Sequence, residues 1–301
     1  MKDYDINMLR LELRRAWQLS QMPVFRARMS RLRRARALVL QRLGHQRWVK
    51  ARCFWGEPIQ VLTGELVSKG ILAFGYHELA LTALMIEVLK PGMRFVDVGT
   101  HIGYEAMLAS RLVGLDGRVV AFEPQGQIAI WAERNLRRFH QARLVQAAVG
   151  ETEGRCDFTE LQISSSAFSR VHATPKTSFG RQYEVPVATI DTTLDEEERP
   201  VDFIKIDVEG NEMSVLRGAL DVLRKDKPFL VLEAEMPSLQ LVRPRIMEFQ
   251  GLLEPLGYRG LSFDYDGGLN LGPLGSSRAG HANVGFVHSS KMTYLEGFPI
   301  D

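Results

Sequence analysis

A short apolar run, an acid, and two glycines four positions apart make up the stretch FVDVGTHIGYEAMLAS, residues 95–110. That order predicts a buried strand, a tight turn and a helix, and it constrains the fold more than any other part of the chain. The alternation continues beyond it. Strands are expected at 94–98, 118–122, 144–149, 201–207 and 229–235, with helices at 103–113, 127–139 and 211–224. Strands interleaved with helices of ten or more residues imply an α/β fold, with a doubly wound, mostly parallel sheet covered on both faces. Two segments break the pattern. Residues 154–186, rich in Ser, Thr and Gly, read as a meander or lid, and 258–287 read as an antiparallel pair joined by a loop.

A chain of 301 residues, 45% hydrophobic and 25% charged, buries a full core. Its net charge of +2 hides an asymmetry. Residues 1–55 hold fourteen Lys/Arg against three Asp/Glu, leaving 24 basic and 33 acidic residues for the rest. This composition boundary divides a basic helical extension, 1–55, from a folded body, 56–301. An acidic body argues against a nucleic-acid partner. Cys53 and Cys156 are far apart and outside any metal-ligand spacing, which suits a reducing cytoplasm. The opening MKDYDINM lacks the basic end and apolar stretch of a signal peptide, and no apolar run approaches the ~20 residues that span a bilayer.

The turn Gly99–Gly103 lies at the carboxyl end of a strand, where doubly wound sheets bind ligands. No Gly-Lys-Ser/Thr follows, which argues against a triphosphate loop. The G-x-x-x-G spacing lacks the third glycine of a dinucleotide turn, and Asp97 has the wrong sign to face a pyrophosphate. An acid there suits a ligand with a positive amino group, which points to S-adenosylmethionine. Glu123 ends the next strand, where a carboxylate accepts hydrogen bonds from ribose hydroxyls. A tight turn and a turn-forming acid are the bland alternatives. The second constellation is Lys205–Glu212, KIDVEGNE. Strand alternation projects Lys205 and Asp207 to one side. A lysine within an apolar strand needs a carboxylate partner, and Asp97 on the first strand is the candidate. Glu212 reads as a helix-start acid.

These motifs together resemble the FkbM family of S-adenosylmethionine-dependent methyltransferases. FVDVGTHIGYEA is similar to the family's nucleotide turn, AFEP to its ribose-binding acid, QAAVG and VATIDTTL to later motifs, and IKIDVEGNEMSVLRGA to its most characteristic signature. Thr100 and His101 stand where Ala and Asn are usual, and Gln146 where Asn is usual. The resemblance implies a class I, Rossmann-like fold with an antiparallel C-terminal strand. It also implies methyl transfer to a hydroxyl, commonly of a sugar or a polyketide. Cofactor contacts are then expected from Asp97, Gly99, Thr100, His101, Gly103 and Glu123. Glu78 is a candidate for the methionine end or a surface helix residue, and Ser165 and Ser166 are candidates near the adenine or the substrate. Asp207 is the first choice as base and Glu209 the second, with Lys205 beside them. The alternative is a divalent metal, Mg²⁺ by its oxygen ligands, on Asp207 and Glu233. An NAD-dependent oxidoreductase is the reading from a different class, and the missing third glycine opposes it.

Within the extension, Ile6, Leu9, Leu13 and Ala16 fall at helical spacing, as do Phe25, Met29, Leu32, Val39 and Leu43, with Pro23 between the runs. Basic amphipathic helices offer peripheral contact with an anionic membrane face. Packing on the body or homo-oligomerisation is the equal alternative.

Overall fold

Short runs of Val, Phe and Ile become the strands of the computed structural model, which describes residues 5–21, 47–161, 170–171, 180–234, 239–274 and 283–295. In chain order the elements begin with α1 (Ile6–Gln21), β1 (Trp48–Arg52), β2 (Pro58–Leu62), α2 (Leu66–Phe74) and α3 (Leu79–Val88). Then come β3 (Arg94–Val98), α4 (Tyr104–Val113), β4 (Arg118–Phe122), α5 (Gly126–Leu136), β5 (Ala142–Val145) and β6 (Ala148–Val149). They continue with β7 (Gly154–Leu161), β8 (Arg170–Val171), β9 (Gly180–Ala188), β10 (Phe203–Ile206), α6 (Glu212–Arg217) and α7 (Leu220–Lys225). The last are β11 (Phe229–Glu233), α8 (Leu239–Leu253), β12 (Tyr258–Tyr265), β13 (Leu269–Pro273) and β14 (Asn283–His288).

The main sheet has the order β13-β12-β14-β11-β10-β3-β4-β5. The strands from β11 to β5 are parallel, and β14 adds to β11 antiparallel, as do β12 and β13 beyond it. The chain runs outward from β3 to β5 and returns on the other side at β10, so the order reverses between β3 and β10. Crevices for ligands form at such reversals, beyond the carboxyl ends of the strands.

Register decides which side chains reach that crevice. Phe95, Phe203 and Phe229 are neighbours across three strands, with ring centroids 5.4 and 5.2 Å apart, and each is buried. Burial of each ring contributes about 1.5–3 kcal/mol. Two residues further along the same face, Lys205 sits beside Asp97 in the register. One face of the sheet thus carries an aromatic floor at one end and charge at the other. Val96, Val98, Ile204 and Ile206 point to the opposite face, in a second apolar core.

Three expectations change. The strand expected at 144–149 divides: β5 ends the main sheet at Val145, a turn follows, and β6 pairs with β9 in a separate four-stranded sheet. The helix expected at 211–224 breaks into α6 and α7 at Gly218, where a Cβ would stand 1.9 Å from the Gly150 carbonyl oxygen. No side chain fits that approach. The segment 258–287 contains three strands, with β14 inserted between β11 and β12. The meander at 154–186 includes the antiparallel pair β7–β9, while Ser165 and Ser166 lie outside the described residues.

Leu9, Leu13 and Ala16 of α1 are buried, and Leu9 and Leu13 belong to the same core as α3 and α4. The apolar face of this first run is therefore occupied by the body; the run from Phe25 to Leu43 lies outside the described residues. The charge boundary at residue 55 falls inside the β1–β2 hairpin, whose strands pair from Trp48↔Leu62 to Arg52↔Pro58. Cys53 and Cys156 are both free thiols. Among the described residues, no single helix is long and apolar enough to cross a membrane.

Candidate active site

The turn after β3 is built around Gly99. Its φ of +80° lies in the left-handed region, and a Cβ there would stand 1.8 Å from the Asp207 carbonyl oxygen. Only glycine combines that conformation with that approach. The Gly99 and Thr100 amides donate to the Phe122 carbonyl at 3.1 and 3.0 Å, which fixes the turn against β4. Gly103 then precedes α4, whose first turn is closed by the Met107 amide on the Gly103 carbonyl.

Asp97 has no exposed surface. Thr100 Oγ1 donates to its Oδ2 at 2.6 Å, and Lys205 Nζ lies 3.8 Å from its Oδ1. Burial pushes this carboxyl up, against the pull of Lys205 and the Thr100 hydrogen bond. The expected ion pair exists, but Asp207 is the closer partner: Lys205 Nζ stands 3.1 Å from Asp207 Oδ2 and donates to the Gly99 carbonyl at 3.1 Å. Burial alone would lower the ammonium; the surrounding carboxylates, Asp207 first, outweigh it and hold Lys205 charged. Thr100 and Asp97 thus brace the turn with their side chains.

Glu123 is positioned by both of its oxygens. Oε2 accepts the His101 amide at 3.0 Å and Oε1 the Gln125 amide at 2.9 Å. Each oxygen keeps a lone pair for a further donor. Burial pushes this carboxyl up to about 7, against the two amide hydrogen bonds. His101, at φ +50°, is half-buried, and burial holds its ring below the ordinary range.

At the strand ends Asp207 opens toward solvent, its side chain 26% exposed. Burial would raise its carboxyl, yet the Lys205 ammonium and a hydrogen bond with Glu233 bring it below the usual range. Glu233 goes the other way, pushed up to about 11 by burial and by the charge of Asp207. The pair holds one proton between them, because two close carboxylates do not both ionise. Glu209, at φ +54°, brings a third carboxylate, and one oxygen from each of Asp207, Glu209 and Glu233 lies within 4.8 Å of the others. Glu212 stays apart from this group. It accepts the Val208 and Gly210 amides at 3.2 and 2.9 Å and pairs with Arg245, as a helix-start acid does.

Glu78 is half-buried. It precedes α3 at φ +38°, its Oε1 accepts from Asn283 Nδ2 at 3.0 Å, and its Oε2 is buried without a hydrogen bond. Beside it lie His77 and Glu105. Glu105, on α4, is 4% exposed, has an unpartnered Oε1, and is pushed up to about 8 by burial. Glu105, Gln125 and Asn283 were not among the expected site residues. An acid within the otherwise apolar YEAMLAS was the available signal for Glu105. Asn283 comes from β14, distant in sequence, and carried none.

A match by a sequence model of the FkbM methyltransferase domain covers residues 97–259. The chain belongs to the FkbM methyltransferase family. Its cofactor is S-adenosylmethionine, and the residues present fit it. The orphaned acceptors of Glu78 and Glu105 suit the methionine ammonium, and the free lone pairs of Glu123 suit ribose hydroxyls. The chain is also 30% identical over 105 residues to a protein-L-isoaspartate O-methyltransferase of Methanopyrus kandleri, covering 34% of this chain and 42% of that protein. Over 83 residues it is 32% identical to a tRNA (adenine(58)-N(1))-methyltransferase of Thermus thermophilus, covering 28% of this chain and 30% of that one. The matched segment thus spans less than half the length of either curated relative. A solved FkbM methyltransferase of Methylobacillus flagellatus KT is 20% identical, with a TM-score of 0.42, covering 66% of this chain and 48% of that one.

Proposed function

We propose that this FkbM methyltransferase is an O-methyltransferase acting on a hydroxyl of a sugar, in a glycan or glycolipid, with Asp207 as the base. The observation that carries this reading is the Asp207 carboxylate, held ionised by Lys205 at the mouth of the crevice and partly open to solvent. S-adenosylmethionine supplies an electrophilic methyl carbon, so the protein's task is positioning and proton removal. An acceptor hydroxyl donates to Asp207. An oxygen that is being alkylated becomes strongly acidic, so a carboxylate of lowered basicity suffices to take its proton. Lys205 holds Asp207 in place, and Glu233 keeps its own proton beside it. The acquired proton leaves to water through the exposed edge of Asp207.

A neutral polyol supports the same geometry. Asp207, Glu209 and Glu233 offer acceptors for several hydroxyl donors. The negative charge of Asp207 and Glu209 repels a phosphate backbone, which weighs against an RNA acceptor like that of the tRNA methyltransferase. The second reading rests on their convergence: a divalent cation of the Mg²⁺ type would take oxygen ligands from Asp207, Glu209 and Glu233 and displace the shared proton. Incubation with S-adenosylmethionine and a panel of nucleotide sugars and lipid-linked glycans tests the proposal, with and without EDTA. Methylation of a sugar hydroxyl that persists in EDTA supports the simple base. Loss in EDTA with recovery in Mg²⁺ supports the cation, and methylation of nitrogen or carboxylate acceptors alone overturns both.

A further inference from the structure

A cavity of about 670 Å³ lies between the β1–β2 hairpin and the C-terminal half of α5, away from the crevice. Helix α5 starts just past Glu123 at the carboxyl end of β4. Arg134 stands eight residues beyond Gly126, ~12 Å along the axis toward the other end of the sheet. Lys50, Arg134, Arg137 and Arg138 line this cavity, and among the described residues no carboxylate does.

These cations are not equivalent. Arg138 is committed: Nη1 pairs with Glu57 Oε2 at 3.0 Å and Nη2 donates to the Pro58 carbonyl at 2.6 Å, bracing the hairpin against α5. Lys50, Arg134 and Arg137 are exposed and form no ion pair among the described residues. Arg134 is nevertheless fixed. Its guanidinium lies 4.3 Å over the Trp131 ring, and Trp131 stacks in turn on Trp48 at 4.1 Å and 18°. A guanidinium stacked by its face leaves its N–H edge available, the geometry that binds an oxyanion bidentately. The wall is thus preorganised, and among the described residues no ion pair offsets the charge of Lys50, Arg134 and Arg137.

We propose that this cavity binds a phosphate-bearing anion, with Arg134 and Arg137 as its principal contacts and Lys50 as a supporting charge. Two sources present that chemistry: the head group of an acidic phospholipid, and a free pyrophosphate-type ligand. A lipid source would dock the enzyme on an anionic leaflet by a face remote from the crevice. The site is independent of the acceptor proposed above.

Tryptophan fluorescence of the full chain, titrated with pyrophosphate, is one arm of the test. Co-sedimentation with phosphatidylglycerol vesicles, against pure phosphatidylcholine vesicles, is the other. Binding in at least one arm is expected, weakening as salt rises. The fluorescence change should vanish in Trp131→Phe. In Arg134→Ala/Arg137→Ala affinity should fall by roughly tenfold or more, since two charge-assisted contacts are lost. Melting temperature and S-adenosylmethionine affinity should not change in that variant, whose substitutions are at exposed positions. Binding to vesicles alone identifies the leaflet, and binding to pyrophosphate alone identifies a soluble ligand. Absence of binding in both arms overturns the proposal. So does full affinity in the double variant, which would place the anion elsewhere.

Discussion

Lys205 and Asp97 stand side by side on adjacent parallel strands, Nζ 3.8 Å from Oδ1, with both residues shielded from water. Asp207 completes the group at 3.1 Å from the same nitrogen. Lys205→Met keeps the length of the side chain and leaves two carboxylates without their cation. Removing one partner of a buried pair costs about 3–5 kcal/mol. Asp207 is held below its ordinary range, so its contribution is present above the unfolded carboxylate range and is lost as pH falls through the folded value. The variant's deficit should therefore be largest at neutral pH and shrink as acid protonates the orphaned carboxylates. Urea unfolding at neutral and acidic pH measures this; an equal deficit at both would contradict it.

Gly99→Ala should be among the most damaging small substitutions in the chain. It adds a Cβ 1.8 Å from the Asp207 carbonyl oxygen at a φ of +80°. Backbone strain of this kind costs on the order of 1–3 kcal/mol before the displaced β10 end is counted. A lowered melting temperature together with weakened S-adenosylmethionine binding is expected. A variant with unchanged melting and binding would show that the turn yields more readily than its geometry implies.

Glu123, as a cofactor contact, should make S-adenosylmethionine binding pH-dependent. Burial raises its carboxyl to about 7, so its contribution to the stability of the ligand-free protein is fully present below the unfolded carboxylate range. It is lost as pH rises through about 7. Ribose hydroxyls would donate to the ionised form. Affinity for S-adenosylmethionine should accordingly rise as pH climbs toward and past about 7, with a proton released on binding below it. Calorimetry in buffers of different ionisation enthalpy detects that proton. Glu123→Ala should bind at least roughly tenfold more weakly and lose the proton release, as two hydrogen bonds to a charged acceptor disappear. A variant that keeps both removes Glu123 from the cofactor site.

Much of this site was legible in the sequence because its parts are local or sit one register apart. Asp97 and Gly99 share one strand end, Lys205 and Asp207 share another, and strand alternation puts both pairs on one face. The expected pair of Lys205 with Asp97 is present, and Asp207, two residues on and just past the end of β10, stands nearer still to the ammonium. Glu105 and Asn283 were missed for different reasons. Glu105 lies on a helix face that composition marks as core, and Asn283 reaches Glu78 only because β14 inserts beside β11, a pairing no local pattern encodes. The split of 144–149 between two sheets is likewise a tertiary decision, since Ala148 and Val149 suit either one.

The role of Asp207 is most directly tested by Asp207→Asn, which keeps the shape of the side chain and removes its charge. The measurement is transfer of a ¹³C-labelled methyl group from S-adenosylmethionine to the glycan panel, read by NMR in the native chain and in this variant. We predict label in an ether bond to a sugar carbon, in step with S-adenosylhomocysteine formed. Turnover in Asp207→Asn should fall on the order of 100-fold, with little change in cofactor affinity. Label on nitrogen or on a carboxylate, or undiminished turnover in Asp207→Asn, would contradict the account.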